Sequence, residues 1–147
     1  MHFNQKRLEK TTAKTTRQAK IQILCVDGYR ESRDVISLVL EQHGYSVTTA
    51  HTPEDAARLA QSRQFDLYIV DSWPPDGAEY DLCRRIRTFD ARTPLLFYSA
   101  TDQEPGMQKA VAAGAQAHLR KPAYPQRLMQ TVTALLDCAE SGDRAGG

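Results

Sequence analysis

The stretch TPLLFYSA, Thr93 to Ala100, is apolar almost without a break. A strand with one wet face alternates apolar and polar residues, whereas a strand covered on both faces does not. This run therefore predicts a strand in the middle of a sheet that carries helices on both sides.

Working outward, FDLYIV (Phe65 to Val70) and IQILCV (Ile21 to Val26) have the same character, and YSVTTA (Tyr45 to Ala50) is β-branched. AHLRKP, from Ala117, is a short fifth strand. Each is followed by a segment of helical period. RESRDVISLVLEQHG sets Val35, Ile36, Val39 and Leu40 on one face, with Gly44 placed to end the helix. TPEDAARLAQSR opens with Thr52, Pro53 and Asp55 as N-cap, first-turn proline and N3 acid. EYDLCRRIRTF spaces Tyr80, Leu82, Cys83 and Ile86; EPGMQKAVAAGA ends at Gly114; PQRLMQTVTALLDCA aligns Leu128, Val132, Leu135 and Leu136. Five strands each followed by a helix predict a doubly wound (βα)5 α/β domain with a five-stranded parallel sheet, because parallel neighbours need right-handed crossovers.

With 147 residues the chain suits one domain. Apolar residues make up 41% and charged residues 25%, ordinary values for a globular protein. No apolar run is long enough to cross a bilayer or act as a secretory signal, so a cytoplasmic protein without membrane partners is expected. A net charge of +1 gives no overall drive toward nucleic acid. Residues 1–20 hold six basic residues against Glu9 and little to bury, and read as a flexible basic tail. The folded domain is expected over 21–138, with 139–147 a disordered tail. Cys25, Cys83 and Cys138 are scattered and read as small buried hydrophobes.

In open parallel sheets ligands bind beyond the carboxyl ends of the strands. There the sequence puts Asp27 and Gly28, Asp71, Ser99 and Ala100, and Lys121 and Pro122. A carboxylate can take a phosphoryl group as an acyl phosphate, and transfer needs positioning and charge neutralisation. Asp71 is the candidate acceptor, with Lys121 and Ser99 as candidate phosphate contacts. A hard divalent cation such as Mg²⁺ would bridge the carboxylate oxygens.

ILCVD, FDLYIVDSWPPDG, PLLFYSA and AGAQAHLRKP together resemble the receiver domain of bacterial two-component response regulators, over about Gln22 to Leu136. The intervals from Asp71 to Ser99 and from Ser99 to Lys121 fit that family without gaps. The resemblance implies a flavodoxin-like fold, Asp71 as phosphoacceptor, Lys121 as phosphate-contacting lysine and Ser99 as switch hydroxyl. It implies metal ligation by Asp27, Asp71 and the backbone carbonyl of Trp73, a cis Lys121–Pro122 bond, and no enzymatic activity beyond a transient aspartyl phosphate. Implied partners are a histidine kinase or histidine phosphotransfer protein, and a downstream protein on the face of the fourth helix, fifth strand and fifth helix. A homodimer is compatible with it.

Three positions depart from that family. Gly28 stands where a second acid usually binds the metal, so Mg²⁺ is expected to bind weakly. Ala78 and Glu79 replace a usual Asp-Gly, and the Asp76–Gly77 pair is expected to turn the chain earlier. His118 stands where an aromatic switch residue is common. Asp76 is expected at the surface, and Trp73 either over the pocket or over apolar surface. The second reading is a pseudo-receiver, a docking module independent of phosphorylation. A flavin or nucleotide binder is disfavoured, since neither GxGxxG nor GxxxxGK[ST] follows the first strand.

Overall fold

A computed structural model describes residues 20–73, 77–100 and 104–146. Strand and helix alternate as β1 (Gln22–Val26), α1 (Arg30–Gln42), β2 (Ser46–Ala50), α2 (Pro53–Ser62), β3 (Leu67–Val70), α3 (Ala78–Arg87), β4 (Leu95–Ser99), α4 (Glu104–Ala113), β5 (Ala117–Arg120) and α5 (Pro125–Gly146). All neighbouring pairs are parallel, in the order β2-β1-β3-β4-β5.

The helices cover both faces. Ile36, Val39 and Leu40 of α1 and Leu128, Met129 and Val132 of α5 pack on Ile23, Cys25, Ile69, Leu96 and Tyr98. On the other face α2, α3 and α4 bring Ala57, Cys83, Ile86 and Ala110 against Leu24, Tyr68, Val70 and Phe97. The residues of β4 are buried throughout, which is why TPLLFYSA lacks alternation.

Local signals act as expected at several ends. Thr52 Oγ1 accepts a bond from the Asp55 backbone N–H at 3.2 Å, capping α2 ahead of Pro53. Gly44 and Gly114 follow α1 and α4 with φ of +87° and +112°, a region where a Cβ is strained.

Four expectations need correction or fall elsewhere. Val35 is 60% exposed: the buried stripe of α1 runs through Ile36, Val39 and Leu40, and residue 35 is rotated off it. Cys138 is exposed, unlike Cys25 and Cys83, because it lies past the part of α5 that packs on the sheet. Helix α5 continues through Gly146, past the expected boundary at Cys138. The basic tail, apart from Lys20, lies outside the described residues, as do Pro75 and Asp76.

Candidate functional site

Strand order reverses between β1 and β3, so a crevice opens between the carboxyl ends of these neighbours. Val26 pairs with Val70, which sets the next residues, Asp27 and Asp71, side by side. The ladder continues one step into both: the Asp27 N–H donates to Ala50 O at 3.0 Å, and the Asp71 N–H to Val26 O at 2.9 Å. Ser99 pairs with Arg120, and the Lys121 N–H donates to Ser99 O at 2.8 Å, so Lys121 leaves the sheet on the same rim. The Lys121–Pro122 bond is cis, and the Ala123 N–H beyond it donates to the Tyr98 hydroxyl at 3.1 Å.

The three charged side chains meet. Lys121 Nζ lies 2.5 Å from Asp27 Oδ2 and 3.3 Å from Asp71 Oδ1. It also donates to Ser32 Oγ, in the first turn of α1, at 2.9 Å. Asp27 and Asp71 are 1% and 6% exposed, so the ammonium neutralises carboxylates that have lost most of their water. A cavity of about 590 Å³ beside them is lined by Ser32, Asp71, Ser72, Ala100 and Lys121, among others.

The two carboxylates differ electrostatically. Burial pushes Asp71 up to about 6, with the neighbouring Asp27 adding and Lys121 subtracting. Burial also works to raise Asp27, but the bonds from Lys121, Ser32 and the Tyr29 N–H outweigh it and hold that carboxyl below its ordinary value. Lys121 is held protonated above its ordinary value, because the bond to Asp27 and the charge of Asp71 overcome its burial. Asp71 is thus the less committed carboxylate.

Ser99 ends β4 and is buried, with Oγ 3.4 Å from His118 Nε2. Burial lowers the pKa of His118. Trp73 adjoins the site: its carbonyl accepts from the Gly77 N–H at 3.0 Å and its own N–H donates to Glu79 Oε2 at 2.8 Å. Gly77 adopts φ +68° as the N-cap of α3, so this glycine makes the expected early turn.

Two participants escaped the sequence reading. Ser32 gave no signal, since a serine in a helical first turn ordinarily faces solvent. Glu79 registered only as a departure, yet it is 4% exposed and is held by the Trp73 N–H.

The donor set fits a hard divalent cation, though sparsely. Two carboxylates against one ammonium leave the cluster anionic, and the Trp73 carbonyl retains a lone pair beyond the one taken by Gly77. Among the described residues no three His, Cys, Asp or Glu side chains gather closely enough to enclose a metal. Mg²⁺ commonly keeps several waters and binds through one or two carboxylates, and Asp27, Asp71 and the Trp73 carbonyl are the groups that would hold it.

Comparison with known proteins bears on the fold and the family. The response regulator SaeR of Staphylococcus epidermidis is 28% identical over 114 residues, covering 78% of this chain and 49% of that protein. The alkaline phosphatase synthesis transcriptional regulatory protein PhoP of Bacillus subtilis is 29% identical over 118 residues, covering 80% and 49%. The chain thus spans about half the length of these curated relatives. A CheY-like response regulator receiver domain protein from Methanospirillum hungatei superposes with a TM-score of 0.80 at 23% identity, covering 84% of this chain and 99% of that one, which supports the fold. Residues 23–133 match the response regulator receiver domain, and the chain belongs to that family.

Proposed function

We propose that this domain accepts a phosphoryl group on Asp71 from the phosphohistidine of a kinase or phosphotransfer protein, and signals by altered partner binding. The observation that carries the reading is Asp71 itself, a buried carboxylate at a strand end that faces an open cavity, 3.3 Å from the Lys121 ammonium. An Asp71 carboxylate oxygen attacks phosphorus, the P–O bond forms, the P–N bond to the donor imidazole breaks, and that imidazole leaves with a proton. Lys121 shifts from Asp27 toward the incoming phosphoryl oxygens. Ser99 turns its hydroxyl to another of them. Asp27, Asp71 and the Trp73 carbonyl would hold a Mg²⁺ ion, which when bound would supply charge neutralisation for the transfer.

The same movement carries the signal. Ser99 and His118 already face each other, so withdrawal of the hydroxyl toward phosphate releases the imidazole and changes the α4-β5-α5 surface. Met107 and Val111 of α4 are 51% and 61% exposed, apolar groups that a downstream protein could cover. A second reading, a docking module that needs no phosphate, is favoured by one observation, the missing acid at Gly28.

Incubation with acetyl phosphate and Mg²⁺, followed by intact mass, tests the choice. One phosphoryl adduct on the wild type, absent from Asp71→Asn, is expected. A folded wild type that gains no mass overturns phosphoryl acceptance and leaves the docking reading.

A further inference from the structure

The departures at Gly28 and Glu79 lie far apart in sequence and converge on one residue, Trp73. A Cβ added to Gly28 would have the indole edge as its three nearest atoms, Cζ2 and Nε1 at 3.8 Å and Cε2 at 3.9 Å. A Cβ fits there at ordinary contact, so a side chain that extends from residue 28 toward Trp73 has to share its room with the indole edge. The ring is also held. Its backbone is fixed on one side by the buried Glu79 carboxylate and on the other by the Gly77 N–H, and the side chain packs against the apolar cluster under α2 and α3.

We propose that Gly28, Trp73 and Glu79 form one coupled unit, in which Glu79 anchors residue 73 so that its indole takes the room of a residue-28 carboxylate and walls the metal side of the site with apolar surface. Two costs for a divalent cation follow. One anionic oxygen is absent, and the indole displaces water from a corner where the hydrated ion keeps its shell. Restoring the acid alone does not restore the site, because the indole still stands in its place. Trp73 and Glu79 are therefore specificity-determining positions for the cation, acting by exclusion. The inference rests on the metal-ligand set read above, and it makes no use of phosphorylation.

A double-mutant cycle tests it with the metal alone, by calorimetric titration of Mg²⁺ and Mn²⁺ into the folded domain. Gly28→Asp and Trp73→Asn are each expected to change affinity by less than about threefold, and the pair to raise it about tenfold or more. Trp73→Leu, which keeps apolar packing with a slimmer side chain, serves if Trp73→Asn does not fold. Glu79→Ala leaves the sole tryptophan in place; its emission is expected to move to the red as the ring loosens, and Gly28→Asp with Glu79→Ala should bind metal more tightly than Gly28→Asp alone. Gly28→Asp matching the double variant, or no gain in the double variant, overturns the coupling. Coupling without any acetyl phosphate adduct would sink phosphoryl acceptance while leaving this inference standing; an adduct without coupling does the reverse.

Discussion

At the scale of single residues, the buried carboxylates set the acid–base behaviour of the domain. The folded-state pKa of Asp71, about 6, lies above its ordinary 3.8. Its contribution to stability is therefore full below pH 3.8 and is lost as pH rises through 6. Asp71→Asn should stabilise the metal-free protein by about 1–3 kcal/mol at pH 7.5, and the gain should vanish near pH 4. Thermal melts of both proteins across that range check this; an equal gain at both pH values would refute it. Lys121 has the opposite character, since it is the cation between two buried acids. Lys121→Met should cost about 3–5 kcal/mol at neutral pH, because it leaves both acids without their partner, and urea unfolding measures the loss. Asp27, Asp71 and Lys121 were legible as neighbours, because a parallel sheet gathers strand ends on one rim. Ser32 was not, since its bond to Lys121 depends on the rotation of α1 about its own axis, which no local spacing encodes.

At the scale of elements, the far end of the sheet is tied by side chains that fix how β4 begins. Arg87 of α3 donates to Gly114 O through Nη2 at 2.8 Å and through Nε at 3.1 Å, and to Gln116 Oε1 at 2.9 Å. Gln116 Oε1 in turn accepts from the Leu95 N–H at 2.7 Å. A Cβ at Gly114 would lie 2.9 Å from Arg87 Cγ at a φ of +112°, so Gly114→Ala should cost about 1–3 kcal/mol, read from denaturant midpoints. Asp90 fastens the turn before β4, accepting from the Tyr68 hydroxyl at 2.8 Å and the Thr93 N–H at 3.0 Å. Burial opposes its ionisation, but these donors, with the Thr93 hydroxyl, outweigh it and hold the pKa below 3.8. Stability from Asp90 is thus present above that value and lost as pH falls through its lowered pKa. Asp90→Asn should lessen the fall in melting temperature between pH 4 and pH 2. The elements themselves were legible from period, proline and glycine. Their ends were less so: Phe65 and Thr93 look like strand residues, but both lie in the approach, before β3 and β4 begin.

At the scale of the whole molecule, the sheet is unevenly protected. In β1, β3 and β4 nearly every residue is buried, whereas the two edge strands, β2 and β5, are partly exposed. Amide hydrogen exchange should be slowest in Ile69 and Leu96 and faster by orders of magnitude in β2. Comparable protection across all five strands would contradict this picture. The architecture was readable because alternating helical and β-type segments admit few right-handed parallel arrangements. Long-range choices such as the burial of Glu79 were not readable, since they follow from which loops meet after the sheet has formed. The register of β1 against β3 has a further consequence for mutational robustness. Val26 opposite Val70 brings Asp27 alongside Asp71, and a slip of one residue would bring Gly28 there instead. A chain with two successive acids at that point keeps a carboxylate near the partner strand after such a slip. This chain has no spare, so the whole anionic complement of Lys121 on β1 hangs on a single codon and a single strand register.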